Sequence, residues 1–292
     1  MEKLNINWFP GHMAKAIRLM KEKLALVDLV IELRDSRAVN SSINPIIQEL
    51  FKNKPRIIIL NKKDLSDMKV NQEWMSFLKK DPLVKVVLTN LLVDQPKNEI
   101  ILLINQLLKD KINHQKSRGI SNWQIKVMII GIPNVGKSRL INNLVKRKVS
   151  NVANQPGVTK GIQWVKLAQN IHLLDTPGIL WPKLDDDDPL VAMHLSLIVA
   201  IKEQLLPFID ISYYAFNFLA KYYPHILKEH YALIIEWKQD MQTKEMDCYF
   251  LQMAKENNVL GSSEQQIIQM MTNFYYAFTK GKIKNISWER PK

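Results

Sequence analysis

The chain has 292 residues, 47% of them hydrophobic, enough for one large α/β domain with a smaller one beside it or for two medium domains. No run approaches the ~20 apolar residues of a membrane-spanning helix. The opening MEKLNINWFPGHM has neither a secretory nor a transit layout. A single cysteine, Cys248, excludes an internal disulfide framework, and together these features predict a cytoplasmic protein. The net charge of +13 is unevenly spread: residues 109–160 carry eleven Lys or Arg against one acid, Asp110, and residues 280–292 hold five bases. Such an excess suits either a polyanionic partner or the solvated surface of a lysine-rich chain.

In chain order, LVDLVIEL (26–33) is a short apolar run that predicts a buried strand. A polar loop, RDSRAVNSSINP, leads to a helix over about 44–52. RIIIL (56–60) predicts a second buried strand, and it ends directly in NKKD (61–64). A helix over 70–80, a strand at VKVVLTN (84–90) and a helix over 98–110 follow, and KINHQKSRGISN (111–122) reads as a linker. WQIKVMIIG (123–131) is a fourth strand, running into GIPNVGKS (131–138) and a helix after Lys137. GIQWVKL (161–167) and NIHLLDTPG (170–178) predict neighbouring strands. After about residue 205 the apolar spacing is helical with no strand signal. The expected fold is α/β, a mostly parallel sheet with helices on both faces over 1–205, followed by a small all-α domain over 206–292.

GIPNVGKS matches G-x-x-x-x-G-K-[ST] in the strand–loop–helix setting that the pattern requires. Backbone N–H groups across Asn134, Val135, Gly136, Lys137, Ser138 and Arg139 would cradle phosphates at a helix N-terminus. Lys137 would reach the β- and γ-phosphates, and the Ser138 hydroxyl would ligate Mg²⁺. In DTPG, Asp175 is placed to hold the same ion through its water shell, and the Gly178 N–H to sense a γ-phosphate oxygen. Alone, DTPG would read as an ordinary strand-ending turn; thirty-seven residues after Ser138 it reads as part of a nucleotide site. Thr159, in SNVANQPGVTKG between those motifs, would add a second hydroxyl to Mg²⁺ and make its segment a switch.

NKKD supplies base specificity. Asp64 would accept two hydrogen bonds, from guanine N1–H and the exocyclic amine. Adenine offers neither donor and would leave the carboxylate unpaired. Asn61 would meet the purine's other edge or tie down the phosphate loop, and the stem of Lys62 would lie over the base. The order is then base motif, phosphate loop, switch threonine, DTPG: a circular permutation of the usual GTPase order. A parallel sheet tolerates this because the ligand crevice lies at the carboxyl ends of its strands whatever order the chain visits them.

With WFPGHMAKA (8–16), SSINPII (41–47), KPRIIILNKKD (54–64), GIPNVGKS, QPGVT (155–159) and LLDTPGILWPK (173–183), the chain closely resembles the bacterial ribosome biogenesis GTPase A family (YlqF type) along its whole length. Where many GTPases carry a water-orienting Gln, Ile179 follows DTPG. The resemblance implies that His12, in WFPGHM, holds the attacking water instead; a neutral imidazole suits that task. It also implies late assembly of the large ribosomal subunit, with the helical domain on ribosomal RNA and no DNA partner. Asn134 stands where related GTPases coordinate K⁺, although loop geometry alone would also favour an Asn. Arg139 departs from the family's usual Thr, and RDSRAVN (34–40) replaces a more usual VDARIP, which leaves the role of Asp35 open. The second base-contacting loop falls on Thr89 and Asn90.

The run Asp185–Asp188 reads as a solvated loop rather than a metal site, and His225 and His230 lack metal-ligand spacing. Lys280, Lys282, Lys284, Arg290 and Lys292 form a basic tail suited to phosphates, and YYAF (213–216) and NFYYAF (273–278) have the helical spacing of core. Two rival readings keep the nucleotide: an RNA-binding module in which GTP or GDP is structural, and a GTPase acting on another RNA.

Overall fold

The computed structural model describes residues 11–120, 122–145, 163–182, 184, 188–239 and 241–291; within these, the side chain of His12 lies outside the described atoms. Six strands form one sheet: β1 (Leu29–Asp35), β2 (Arg56–Asn61), β3 (Val84–Leu88), β4 (Ile125–Gly131), β5 (Gln163–Ala168) and β6 (Ile171–Asp175). Their spatial order is β3-β2-β1-β4-β6-β5, parallel throughout except for the antiparallel edge pair β5–β6. The chain enters at β1 in mid-sheet, builds outward to β3, then crosses back over β1 to lay β4 on its other side. Register sets Asp35 opposite Asn61 and Leu33 opposite Gly131, so the ends of β1, β2 and β4 emerge along one edge. That edge is where an open parallel sheet receives its ligand.

Burial on both faces explains the apolar runs. Every residue of β1 is buried, including Glu32 and Arg34, whose guanidinium Nε donates to the Glu32 carboxylate at 2.9 Å. The helices α1 (Gly11–Lys23), α2 (Pro45–Phe51), α3 (Met68–Leu78), α4 (Lys97–Leu107), α5 (Lys109–Ser117) and α6 (Lys137–Val145) accompany the sheet. Asn44 and Asp67 cap α2 and α3 by accepting from the first helical N–H groups. In α1, Met13, Ala16, Ile17 and Met20 turn one stripe into the core, a helix that the sequence reading did not specify.

The expected linker at 111–122 is corrected: most of it is α5. Its polarity marks a solvated helix rather than a loop. Ile112 is its apolar anchor, Lys111 bridges to Asp28 at 2.5 Å, and the Lys111 ammonium lies 5.2 Å from the centre of the Trp123 ring.

Beyond the sheet follow α7 (Pro189–Leu197), α8 (Phe208–Tyr222), α9 (Pro224–Tyr231), α10 (Thr243–Glu256) and α11 (Ser263–Thr279). The aromatic stretches are mainly core: Phe216 meets Phe250 and Phe274 at 5.3 and 6.2 Å between ring centres, and Tyr214, Tyr275 and Phe278 are buried. One apolar cluster runs unbroken from Met13 through the sheet to Trp288. The chain then returns to the sheet. Ile286 N–H donates to the Leu65 carbonyl at 3.2 Å and Trp288 N–H to the Arg37 carbonyl at 2.7 Å. Glu289 accepts from the backbone of Asn40 and Ser41 at 2.6 and 3.0 Å. Part of the basic tail is engaged on the surface: Arg290 pairs with Glu73 at 3.7 Å, and Lys280 sits 4.3 Å from the centre of the Tyr276 ring.

Candidate functional site

The loop between β4 and α6 leads directly into the first turn of that helix, Lys137–Arg139, where a helix directs its leading backbone N–H groups outward. Lys137 is buried, and its ammonium donates to the carbonyls of Gly131 and Ile132 at 2.9 and 2.7 Å. Burial pulls its pKa down to about 8, with Asp175 partly offsetting the shift. Asp175 ends β6 and is 1% exposed. Three residues on, Gly178 presses against the loop so closely that a Cβ there would lie 2.9 Å from the Lys137 Nζ and 2.8 Å from the Pro133 Cα. Lys137, from the phosphate loop, and Asp175 and Gly178, from the end of β6, thus converge on one point.

The β2 end supplies the second half. Asn61 donates from Nδ2 to the Val135 carbonyl in the phosphate loop at 2.7 Å, and its Oδ1 accepts the Leu91 N–H at 3.1 Å. One side chain therefore joins the base motif, the phosphate loop and the loop after β3. Gly136 has φ 109°, and a Cβ there would meet the Asn61 Nδ2 at 2.5 Å. Asp64 carries the most telling atom: its Oδ1 is buried and has no hydrogen-bond partner among the described residues. A carboxylate oxygen shielded from water without a donor is costly unless a ligand supplies one. Guanine, with two adjacent donors, fits that need.

Lys62 adopts φ 65° and pairs with the buried Asp35 carboxylate at 2.8 Å. Arg37 holds the same carboxylate through Nε and Nη2 at 2.9 and 2.8 Å. Burial pushes the Asp35 carboxyl up, but Arg37 and Lys62 outweigh it and hold the group well below the usual carboxylate range. Sequence reasoning left Asp35 without a role. Its signal was positional, since it closes β1 directly beside the residue that opens NKKD.

Thr89 is buried, with its hydroxyl donating to Asp94 at 3.1 Å; Asn90 N–H bonds the same carboxylate at 2.8 Å, and the Asn90 side chain accepts from Leu92 N–H at 3.0 Å. These side chains shape the loop. Asn134 has φ 57° and donates from its amide to the Val199 carbonyl at 2.8 Å, which ties the phosphate loop to the turn after α7. Ile179 is fully buried, its carbonyl accepting from Asn44 at 3.2 Å. Thr159, like residues 185–187, lies outside the described residues, whereas Asp188 caps α7 through the Leu190 N–H at 2.9 Å. Among the described residues no group of three metal-ligating His, Cys, Asp or Glu side chains occurs, and no helix is long and apolar enough to cross a membrane.

Comparison with known proteins agrees with this geometry. The model of the 50S ribosome-binding GTPase family matches residues 126–243. Ribosome biogenesis GTPase A of Bacillus licheniformis is 45% identical over 228 residues, 78% of this chain and 80% of that one. The protein of the same name from Bacillus pumilus is 44% identical over 230 residues, covering 79% and 80%. Among solved structures, GNP-bound YlqF from T. maritima superposes with a TM-score of 0.61 over 95% of this chain and 99% of that one, at 27% identity. Its GDP-bound form gives 0.62 at 26% identity, over 94% and 99% of the two chains. The chain belongs to the ribosome biogenesis GTPase A family, a guanine-nucleotide-binding GTPase whose base motif precedes its phosphate loop.

Proposed function

We propose that the protein hydrolyses GTP while assembling ribosomal particles in the cytoplasm, engaging the precursor of the large subunit and its ribosomal RNA in the GTP state and leaving after hydrolysis. The observation that carries the guanine reading is the buried, unpartnered Oδ1 of Asp64 beside an Asn61 that bridges base motif and phosphate loop. The ribosomal part rests on the relatives named as ribosome biogenesis GTPases and on the excess of 13 positive charges.

In this reading Asp64 selects guanine, the N–H groups at the start of α6 hold the phosphates, and Lys137 exchanges its two carbonyl partners for phosphate oxygens. Ser138, Thr159 and, through water, Asp175 would hold Mg²⁺, which neutralises charge developing on the β- and γ-oxygens. The oxygen donors at the start of α6 and the end of β6 suit that hard cation. The Asn134 Oδ1 is the atom that would ligate K⁺. With Ile179 turned into the core, the water-positioning role falls to His12, delivered by the start of α1. Residues 206–292 serve as the helical RNA-facing domain, coupled to the nucleotide through Asn134, Val199 and the returning segment 286–289.

The test is GTP turnover in K⁺ buffer with and without purified large subunits. A slow basal rate that rises strongly with subunits, and that His12→Ala removes while GTP still binds, supports the reading. A flat response with tight GTP binding would replace it with an RNA-binding module holding a structural nucleotide.

A further inference from the structure

A cavity of about 660 Å³ opens between α3, α7, α8 and the returning C-terminal segment. Its volume falls in the ~300–1,000 Å³ range of small-ligand sites. Its walls are aromatic to an unusual degree. Trp74 and Phe77 come from α3, Phe218 and Tyr222 from α8, and Trp288 from the returning segment. Trp237 closes one side, fixed by donating its Nε1 to the Asn217 Oδ1 at 2.9 Å. Several rings support each other edge-on or tilted: Trp74 with Phe77 at 5.8 Å, Phe218 with Tyr222 at 4.8 Å and Phe218 with Trp288 at 5.2 Å. Not all of this is core, for Phe77 and Tyr222 are 40% and 44% exposed.

Charge at the rim is arranged one way. The acids of the lining are committed to the protein's own donors: Glu289 to Asn40 and Ser41, and Asp188 to the Leu190 N–H. Lys221, by contrast, stands over the rings of Tyr222 and Trp237, at 4.9 and 4.8 Å from their centres, while the half-exposed Arg290 pairs with Glu73 at 3.7 Å. Flat apolar faces beneath the Lys221 ammonium match an unstacked nucleobase whose phosphate lies outside. An apolar peptide would use the rings and leave the cations idle. Single-stranded RNA is read by splaying bases onto aromatic and cationic surfaces of this kind.

We propose that this cleft binds one flipped-out base of single-stranded RNA between the rings of Phe77 and Tyr222, with Lys221 on its phosphate. The inference rests on the ribosomal-RNA reading above and adds a site to it. It also places the base contact on both the sheet side and the helical side of the chain, since α3 follows NKKD directly.

The full-length protein, bound to mant-GDP to confirm an intact nucleotide site, is titrated with a labelled single-stranded RNA 12-mer and with the same strand made abasic. Phe77 and Tyr222 are surface rings, so Phe77→Ala and Tyr222→Ala should fold. Together they should weaken binding of the base-bearing strand by about tenfold or more and leave the abasic strand unaffected. The salt slope should not change, because no phosphate contact is lost, whereas Lys221→Gln should reduce it. Equal binding of both strands by the unaltered protein, or a base-bearing strand held by the double variant as tightly as by the unaltered protein, overturns the site while leaving RNA binding standing. No RNA binding by the unaltered protein overturns both this site and the RNA reading. A photoreactive residue at position 222 that joins RNA on large subunits supports the proposal; one that joins only ribosomal protein overturns it.

Discussion

Lys62 of NKKD and Asp35 at the end of β1 form a buried ion pair, 2.8 Å from Nζ to Oδ2, with the carboxylate 1% exposed. The residue expected to lie over the guanine ring is therefore aimed by a side chain outside the nucleotide motifs.

Asp35→Asn should weaken GTP and GDP binding together. Neutralising the carboxylate leaves Lys62 and Arg37 facing each other without a counter-charge, and losing one partner of a buried ion pair costs about 3–5 kcal/mol in stability. The guanine site should suffer through a misplaced Lys62, so nucleotide Kd should rise about tenfold or more. Fluorescent-nucleotide titration alongside thermal melts reads both effects; unchanged Kd in a folded variant would deny Asp35 its positioning role.

Asp64→Asn should transfer specificity from guanine to xanthine. The new amide can donate where the carboxylate only accepted, and xanthine carries a carbonyl in place of the amine. Loss of a bidentate charge-assisted contact should cost about 3 kcal/mol in GTP affinity, or roughly 100-fold. Competition between GTP and XTP for a mant-labelled nucleotide measures the switch.

Nucleotide affinity should fall as pH rises through about 8. Burial lowers the Lys137 pKa to about 8 in the ligand-free protein, so above that value the group is increasingly neutral. Arriving phosphates stabilise the ammonium and raise its pKa, which means that binding takes up a proton there. A plot of log Kd against pH should be flat below about 7 and climb toward a slope of one above about 8. Proton uptake measured in two buffers of different ionisation enthalpy provides an independent check.

Glu289→Gln should destabilise the protein most near neutral pH. Burial pushes the Glu289 carboxyl up, but His194 and Ser41 outweigh burial and hold it below its usual 4.5. A depressed carboxyl contributes stability that is complete above its ordinary pKa and disappears as pH falls through the native one. The Gln variant also weakens the bonds from Asn40, Ser41 and His194. A loss of about 1–3 kcal/mol should lower Tm by a few degrees at pH 7. The gap between the two melting temperatures should narrow as pH drops below about 4.5.

The sheet was readable in the sequence because its strands are buried on both faces, so IIIL (57–60) and VMIIG (127–131) are unbroken apolar runs of the kind a covered parallel sheet accepts. The nucleotide motifs were readable because backbone chemistry fixes their residue types at fixed spacing. Asp35 and Glu289 were hidden for a physical reason: each acts through partners brought in by register or from far along the chain, which no local pattern records. For α5, KINHQKS has the polarity of a loop, and only its contacts to Asp28 and Trp123 reveal the helix.

Synthesis gives the returning segment another meaning. Ser41 and Glu289, which meet across the sheet edge, are 248 positions apart in the chain. At ~5–20 residues per second, roughly 10–50 s separate the making of the loop from the making of its anchor. All four nucleotide motifs are translated well before residue 286. A nascent chain can thus display every part of the guanine site while the clasp that steadies the loop after β1 is still inside the translating ribosome. Messages truncated just before codon 286 would yield products that carry every nucleotide motif, yet hold that loop without its fastening.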